Sequence, residues 1–201
     1  MGDSQSLVEL PKRYAMQQTE RTLTSDNIDG IINDFYVSLS SLGESVKGKV
    51  GVQLFTALKR EKLIGGPYPG VTLFEAANRV MSDLVILHGV AGLLKAHVFP
   101  FTAYTVEFGN EDNNGFDIRA SSSNCDLVGE AFNVAPSFFQ GKKGTALKKL
   151  RDKAASAKIR LVMFNDDAVT AAYSPTLEDG IHYVFVNIET GRIRVEPLPT
   201  L

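Results

Sequence analysis

The 201-residue chain has one cysteine, Cys125, and three histidines spread too widely for zinc-ligand spacing. An intrachain disulfide is thereby excluded, and a reducing, cytoplasmic setting is the expectation. The chain also lacks an excess of either charge: 21 Lys and Arg stand against 23 Asp and Glu, for a net charge of −2. No global field directs it to nucleic acid or to anionic membrane, so any basic surface must be local. Long apolar runs are missing too. The longest, Leu84 to Leu94, has 11 residues including His88, well short of the roughly 20 needed to cross a bilayer. The first 20 residues carry charges and no apolar leader core, so neither a secretory signal nor a membrane partner is expected. No internal repeat or low-complexity tract interrupts the chain.

What is present is the balance of a globular protein, with 44% hydrophobic and 22% charged residues. Residues 1 to 21 are polar and read as a loosely held arm. Thr24-Ser25-Asp26 ahead of Ile28, Ile31, Ile32 and Phe35 predicts a helix from about Asn27 to Ser40, and a second helix fits Val52 to Lys62. Gly65 to Gly70, rich in glycine and proline, marks an internal boundary. The chain therefore divides into an N-terminal arm and helical region, 1–70, and an α/β core, 71–201, within one compact domain overall.

Beyond the boundary the order of elements carries the information. Thr72, with Glu75 at capping-box spacing, starts a long helix whose apolar residues nearly encircle it. Strands are predicted at Phe99–Phe108, Phe116–Ala120 and Cys125–Val134. A helix follows from Pro136 to about Lys158, with a possible break at Gly141–Gly144, then a strand at Ile159–Phe164. Ile181–Ile188 and Arg192–Val195 form a C-terminal hairpin, which together with the helical N-terminal region is left for DNA recognition or dimer contacts. With Ala120 and Cys125 flanking the central turn, paired residue numbers sum to 245, which sets Asp117 across from Val128 and on the same face as Glu130. Diagonal neighbours on one face are about 7–8 Å apart, within reach of a shared cation. The other reading of two such acids is a solvent-facing acidic hairpin.

The succession helix, three strands, helix, strand, with Gly115-Phe116-Asp117-Ile118-Arg119-Ala120 and Cys125 to Val134 supplying the acids, resembles the PD-(D/E)xK nuclease superfamily. That resemblance implies a mixed α/β, restriction-endonuclease-like core with an N-terminal helical region and a C-terminal β-hairpin. It implies a magnesium-dependent endonuclease acting on DNA, with Asp117 and Glu130 as metal ligands and Glu75 as an added acid from the preceding helix. It departs at Phe132, two residues after Glu130, where the superfamily usually has lysine. Some members supply that group from the next helix, which here offers Gln140, Lys142, Lys143 and Lys148, and Lys142 or Lys143 is the candidate catalytic lysine.

From Lys142 to Arg160 there are eight Lys or Arg and one Asp. Lys142, Lys143, Lys148, Lys149 and Arg151 are accordingly candidates for phosphate contacts, set against the plainer reading of a solvated helix face. A homodimer would match the two-fold symmetry of duplex DNA. The alternative function is a non-catalytic nucleic-acid-binding or scaffold protein on the same fold, which Phe132 favours. Gly43 to Val50 nearly matches a phosphate-binding loop but has Val50 where Ser or Thr should hold the metal. Cys125 reads as a small core residue, and Tyr68 as a packed turn residue.

Overall fold

A single helix, α3 (Leu73–Lys95), organises the structure. Thr72 caps it, its side chain accepting the Glu75 backbone N–H at 3.2 Å, the arrangement that the Thr72/Glu75 spacing predicts. Its 23 residues extend about 35 Å. From Ala76 to Leu94 twelve of them are buried, including the whole run Ser82–Leu87, because the helix lies across one full face of the sheet. The structure is a computed structural model that describes residues 21–109 and 115–199. The arm read at residues 1 to 21 falls almost wholly outside these.

Ahead of α3 come β1 (Arg21–Thr24), α1 (Ile28–Leu39) and α2 (Gly51–Arg60). After it come β2 (Ala103–Val106), β3 (Ile118–Ser121), β4 (Asp126–Phe132), α4 (Phe139–Lys153), β5 (Ile159–Asn165), β6 (Ile181–Val186) and β7 (Ile193–Glu196). All seven strands join one mixed sheet in sequence order. Pairing is antiparallel from β1 to β4, parallel from β4 through β6, and antiparallel again at β7. A parallel step needs a crossover, and α4 supplies it between β4 and β5. The mixed α/β class and the order helix, three strands, helix, strand are thus present.

Two expectations change. Arg21–Thr24 is an edge strand paired with β2, so Arg21 belongs to the sheet and not to the arm; four residues give too little alternation to read. The helix after β4 runs unbroken through Gly141 and Gly144, because Phe139, Ala146, Leu147 and Leu150 anchor it to the sheet and outweigh the roughly 1 kcal/mol that each glycine costs. The C-terminal hairpin forms as expected: β6 is buried along its whole length, and β7 at the sheet edge keeps Arg194 exposed.

Two cores follow from the two faces. Against α3 pack Leu127, Ala131, Leu161, Met163 and Val184. Against α4 pack Phe132, Phe164, Phe185 and Tyr183. The alternation of Leu127 and Ala131 with Val128, Glu130 and Phe132 along β4 assigns the second set to the α4 face. There α4 contacts β4 and β5, while Ala103, Thr105, Arg119 and Ser121 on β2 and β3 line an open cavity of about 550 Å³.

Helix α3 approaches the sheet through Gly89 and Gly92. A Cβ on Gly89 would lie 2.2 Å from Met163 Sδ, and one on Gly92 2.7 Å from Ile193 Cγ2. Gly89→Val should lower the unfolding free energy by about 2 kcal/mol or more, read from urea denaturation. An unchanged midpoint would show that the Met163 layer yields freely.

Candidate functional site

The β3–β4 hairpin turns on Ser122 to Cys125, closed by the Ser122 N–H donating to the Cys125 carbonyl at 2.8 Å. Ser121 pairs with Asp126 and Ile118 with Gly129, so paired numbers sum to 247 and not 245. The turn sits one residue later than the sequence suggests. A two-number change leaves every side chain on its face, and it improves the alignment: one step past Ile118–Gly129, Asp117 comes directly across from Glu130. The same extension on the other side sets Glu107 across from Asp117, where the Glu107 N–H donates to the Asp117 carbonyl at 2.9 Å. Glu107, Asp117 and Glu130 therefore occupy one cross-strand row, with Glu107 buried.

Asp117 and Glu130 line one cavity of about 510 Å³, closed by Asn78 and Ser82 from α3 and by Lys142, Thr145 and Lys149 from α4. The Asp117 carboxylate is fixed by its Oδ2 accepting the Ala131 N–H at 2.7 Å. Lys149 Nζ lies 2.9 Å from Glu130 Oε1 and 5.8 Å from the centre of the Phe116 ring. Both partners of this ion pair are mostly shielded, with side chains 19% and 13% exposed, so screening by water is weak and the attraction strong.

Phe132, at the position where a lysine was expected, is a core residue. Its ring stacks on Phe164 at a centroid distance of 5.9 Å, and Phe164 meets Phe139 and Phe185 at 4.8 Å each. A lysine at position 132 would bury its ammonium among aromatic rings, a heavy desolvation cost. Helix α4 lies directly above, and its stripe Lys142, Thr145, Ala146, Lys149 faces the cavity.

Of the other candidates, Lys142 borders the cavity, whereas Lys143 turns away and donates to the Tyr173 hydroxyl at 3.1 Å. Glu75 does not line the cavity; it pairs with Arg79 at 2.7 Å. Arg151 donates through Nε to Glu178 at 2.9 Å, Lys158 to the Asn124 carbonyl at 2.6 Å, and Arg160 to the Asp179 carbonyl at 2.5 Å. Within the basic segment that leaves Lys142, Lys148 and Lys153 as exposed side chains. Gly43 to Val50 lies between two helices with no strand feeding it, which removes the phosphate-loop reading. Cys125 packs at the edge of the α3-side core.

Sequence alone did not reveal which lysine meets Glu130, nor the buried acid Asp83. Lys149 was one of several lysines, and only the rotation of α4 distinguishes it. Asp83, in the middle of α3, is 1% exposed. Its Oδ2 accepts the hydroxyl of the buried Tyr68 and its Oδ1 the Gly109 N–H at 3.0 Å. Burial pushes its pKa from 3.8 up to about 7; Tyr68, Gly109 and Arg79 pull the other way, and Asp117 adds to the rise. A polar residue inside the apolar stretch 80–94 was the available signal for it. No protein-family model, curated protein or solved structure matches the chain.

Among the described residues, no three His, Cys, Asp or Glu side chains are grouped to hold a metal; Asp117 and Glu130 are the two carboxylates that line the cavity. Magnesium takes one or two carboxylates, keeps several waters and accepts substrate phosphate oxygens, so a pair of hard oxygen donors in a solvent-reachable cavity fits it.

Asp83 gives the fold a pH dependence of defined sign. Below pH 4 the group is protonated both folded and unfolded. Between about 4 and 7 the unfolded chain releases the proton that the folded one keeps, so this group's stabilising contribution is full at low pH and is lost as pH rises through about 7. Its slope approaches about 1.4 kcal/mol per pH unit. Asp83→Asn should flatten the urea-midpoint profile across that window; an equally steep profile in the variant would assign the dependence elsewhere.

Proposed function

We propose that the protein is a restriction-type, magnesium-dependent endonuclease hydrolysing DNA phosphodiester bonds, with Asp117, Glu130 and Lys149 as its working groups. The supporting observation is that two carboxylates from adjacent strands and one lysine from the following helix converge in a single cavity, with Lys149 Nζ 2.9 Å from Glu130. A helix-borne lysine is also how some members of the PD-(D/E)xK superfamily replace the strand lysine, so Phe132 is compatible with activity in this reading.

Asp117 and Glu130 would hold the magnesium ion. When bound, magnesium lowers the pKa of a coordinated water and offsets charge on the scissile phosphate. The Ala131 N–H keeps the Asp117 carboxylate from rotating. Lys149 brings three N–H donors and a full charge to the same cavity. Paired with Glu130 while the site is empty of substrate, it can turn to a phosphoryl oxygen and steady the negative charge that develops during displacement. Glu75 is assigned only its place on the first turn of α3 and its ion pair with Arg79.

The second reading, a non-catalytic binding or scaffold protein, draws on the same ion pair: Lys149 already neutralises Glu130 with no other ion. Supercoiled plasmid separates the two. The nuclease reading expects nicking with magnesium, none with EDTA, and losses of about 10²-fold or more in Asp117→Ala, Glu130→Ala and Lys149→Met. Lys143→Met should stay within about twofold of the parent. Cutting that is indifferent to both the metal and Glu130 overturns the proposal.

A further inference from the structure

Helix α2 buries only Ala57 and leaves an unusual outer face. Val52 is 81% and Phe55 67% exposed, and Lys59, one turn beyond Phe55, lies on the same side. Lys59 Nζ stands 3.2 Å over the ring of Phe74, itself 50% exposed at the start of α3. Lys62 bridges to Thr72, two residues before Phe74. The result is a continuous surface of aromatic rings interleaved with cations.

Among the described residues its charge is uncompensated. Lys59, Arg60 and Lys62 form no ion pair among the described residues, while the neighbouring carboxylates are occupied, Glu61 by Lys49 and Glu75 by Arg79. A second copy of the chain would bring like charges together, which disfavours self-association through this face. The surface is also continuous with the candidate site. Phe74, Asn78 and Ser82 follow one another at four-residue spacing on α3, and Asn78 and Ser82 line the acid cavity. Phe74 is thus one helical turn, about 6 Å of rise, from the cavity wall.

We propose that this surface is a platform for single-stranded nucleic acid, Phe55 stacking a base while Lys59, held over Phe74, joins Arg60 and Lys62 on the flanking phosphates. The inference rests on the nuclease reading for its continuity and deepens it: one strand of a locally opened duplex, as negative supercoiling provides, would run unpaired from α2 along the first turns of α3 to Asp117 and Glu130. Stacking suits it because every base presents a face, whereas a base inside a duplex does not offer one to Phe55.

The test uses the full chain and a fluorescent 20-nucleotide oligo(dT), with binding followed by anisotropy in EDTA. Phe55→Ala should weaken binding about fivefold or more, and Phe55→Trp should restore it. The triple change Lys59→Gln, Arg60→Gln, Lys62→Gln should reduce the slope of log Kd against log salt by about 2, as expected for three lost phosphate contacts on a single strand. Hydrolysis of bis(p-nitrophenyl) phosphate, a diester that needs only the acid cavity, should be unchanged in these variants. Parental affinity in Phe55→Ala, no oligo(dT) binding by the parent, or binding to phosphatidylserine vesicles in its place overturns the platform. Patch-dependent binding with no diester cleavage by the parent supports the platform and counts against the nuclease reading, and Glu130-dependent cleavage with patch-independent binding does the reverse.

Discussion

The pairing register between β3 and β4 is the constraint on which the site depends. One turn, Ser122 to Cys125, fixes it, and through it the approach of Asp117 to Glu130. A slip of a single residue would send one carboxylate to the α3 side, into a largely apolar core. The parallel step from β4 to β5 then requires a crossover on the face that carries Glu130, and α4 in making it brings Lys149 over that residue. The acids and the lysine are consequences of one register and one crossover, so their convergence needs no separate device.

Local signals made much of this legible. Apolar spacing defined α1, α2 and α3 to within two residues at each end, the Thr72 cap formed as its spacing implies, and alternation placed β4 and β5. The Asp117–Glu130 face was readable because side-chain direction repeats every two residues, and the error in register happened to be two. What stayed hidden depended on long-range geometry. Lys142, Lys143 and Lys149 are equivalent as sequence; helix phase separates one that meets Glu130, one at the cavity rim and one bound to Tyr173. Phe132 read as a missing lysine, and its partners Phe139 and Phe164 show it to be a core residue.

Charge shows a similar division. The segment Lys142 to Arg160 looks like one basic surface in sequence, yet folding commits Lys149 and Arg151 to carboxylates and Lys143, Lys158 and Arg160 to neutral oxygens. The uncommitted cations of α2, whose residues carry no family motif, gain meaning only beside the exposed rings of Phe55 and Phe74. Charge density along a chain is therefore a poor guide to the field a ligand meets; what counts is which cations have already found partners.

The two faces of the sheet are covered unequally. Helix α3 reaches from β2 to β7 on one side, whereas on the other α4 contacts β4 and β5 and an open cavity lies over β2 and β3. Asp117 and Glu130 stand at the border between the roofed and the bare part. β4 is thus held between α3 and α4, whereas β3 has no helix α4 above it, so the strand that carries Glu130 is clamped on both faces and the strand that leads from Asp117 on only one.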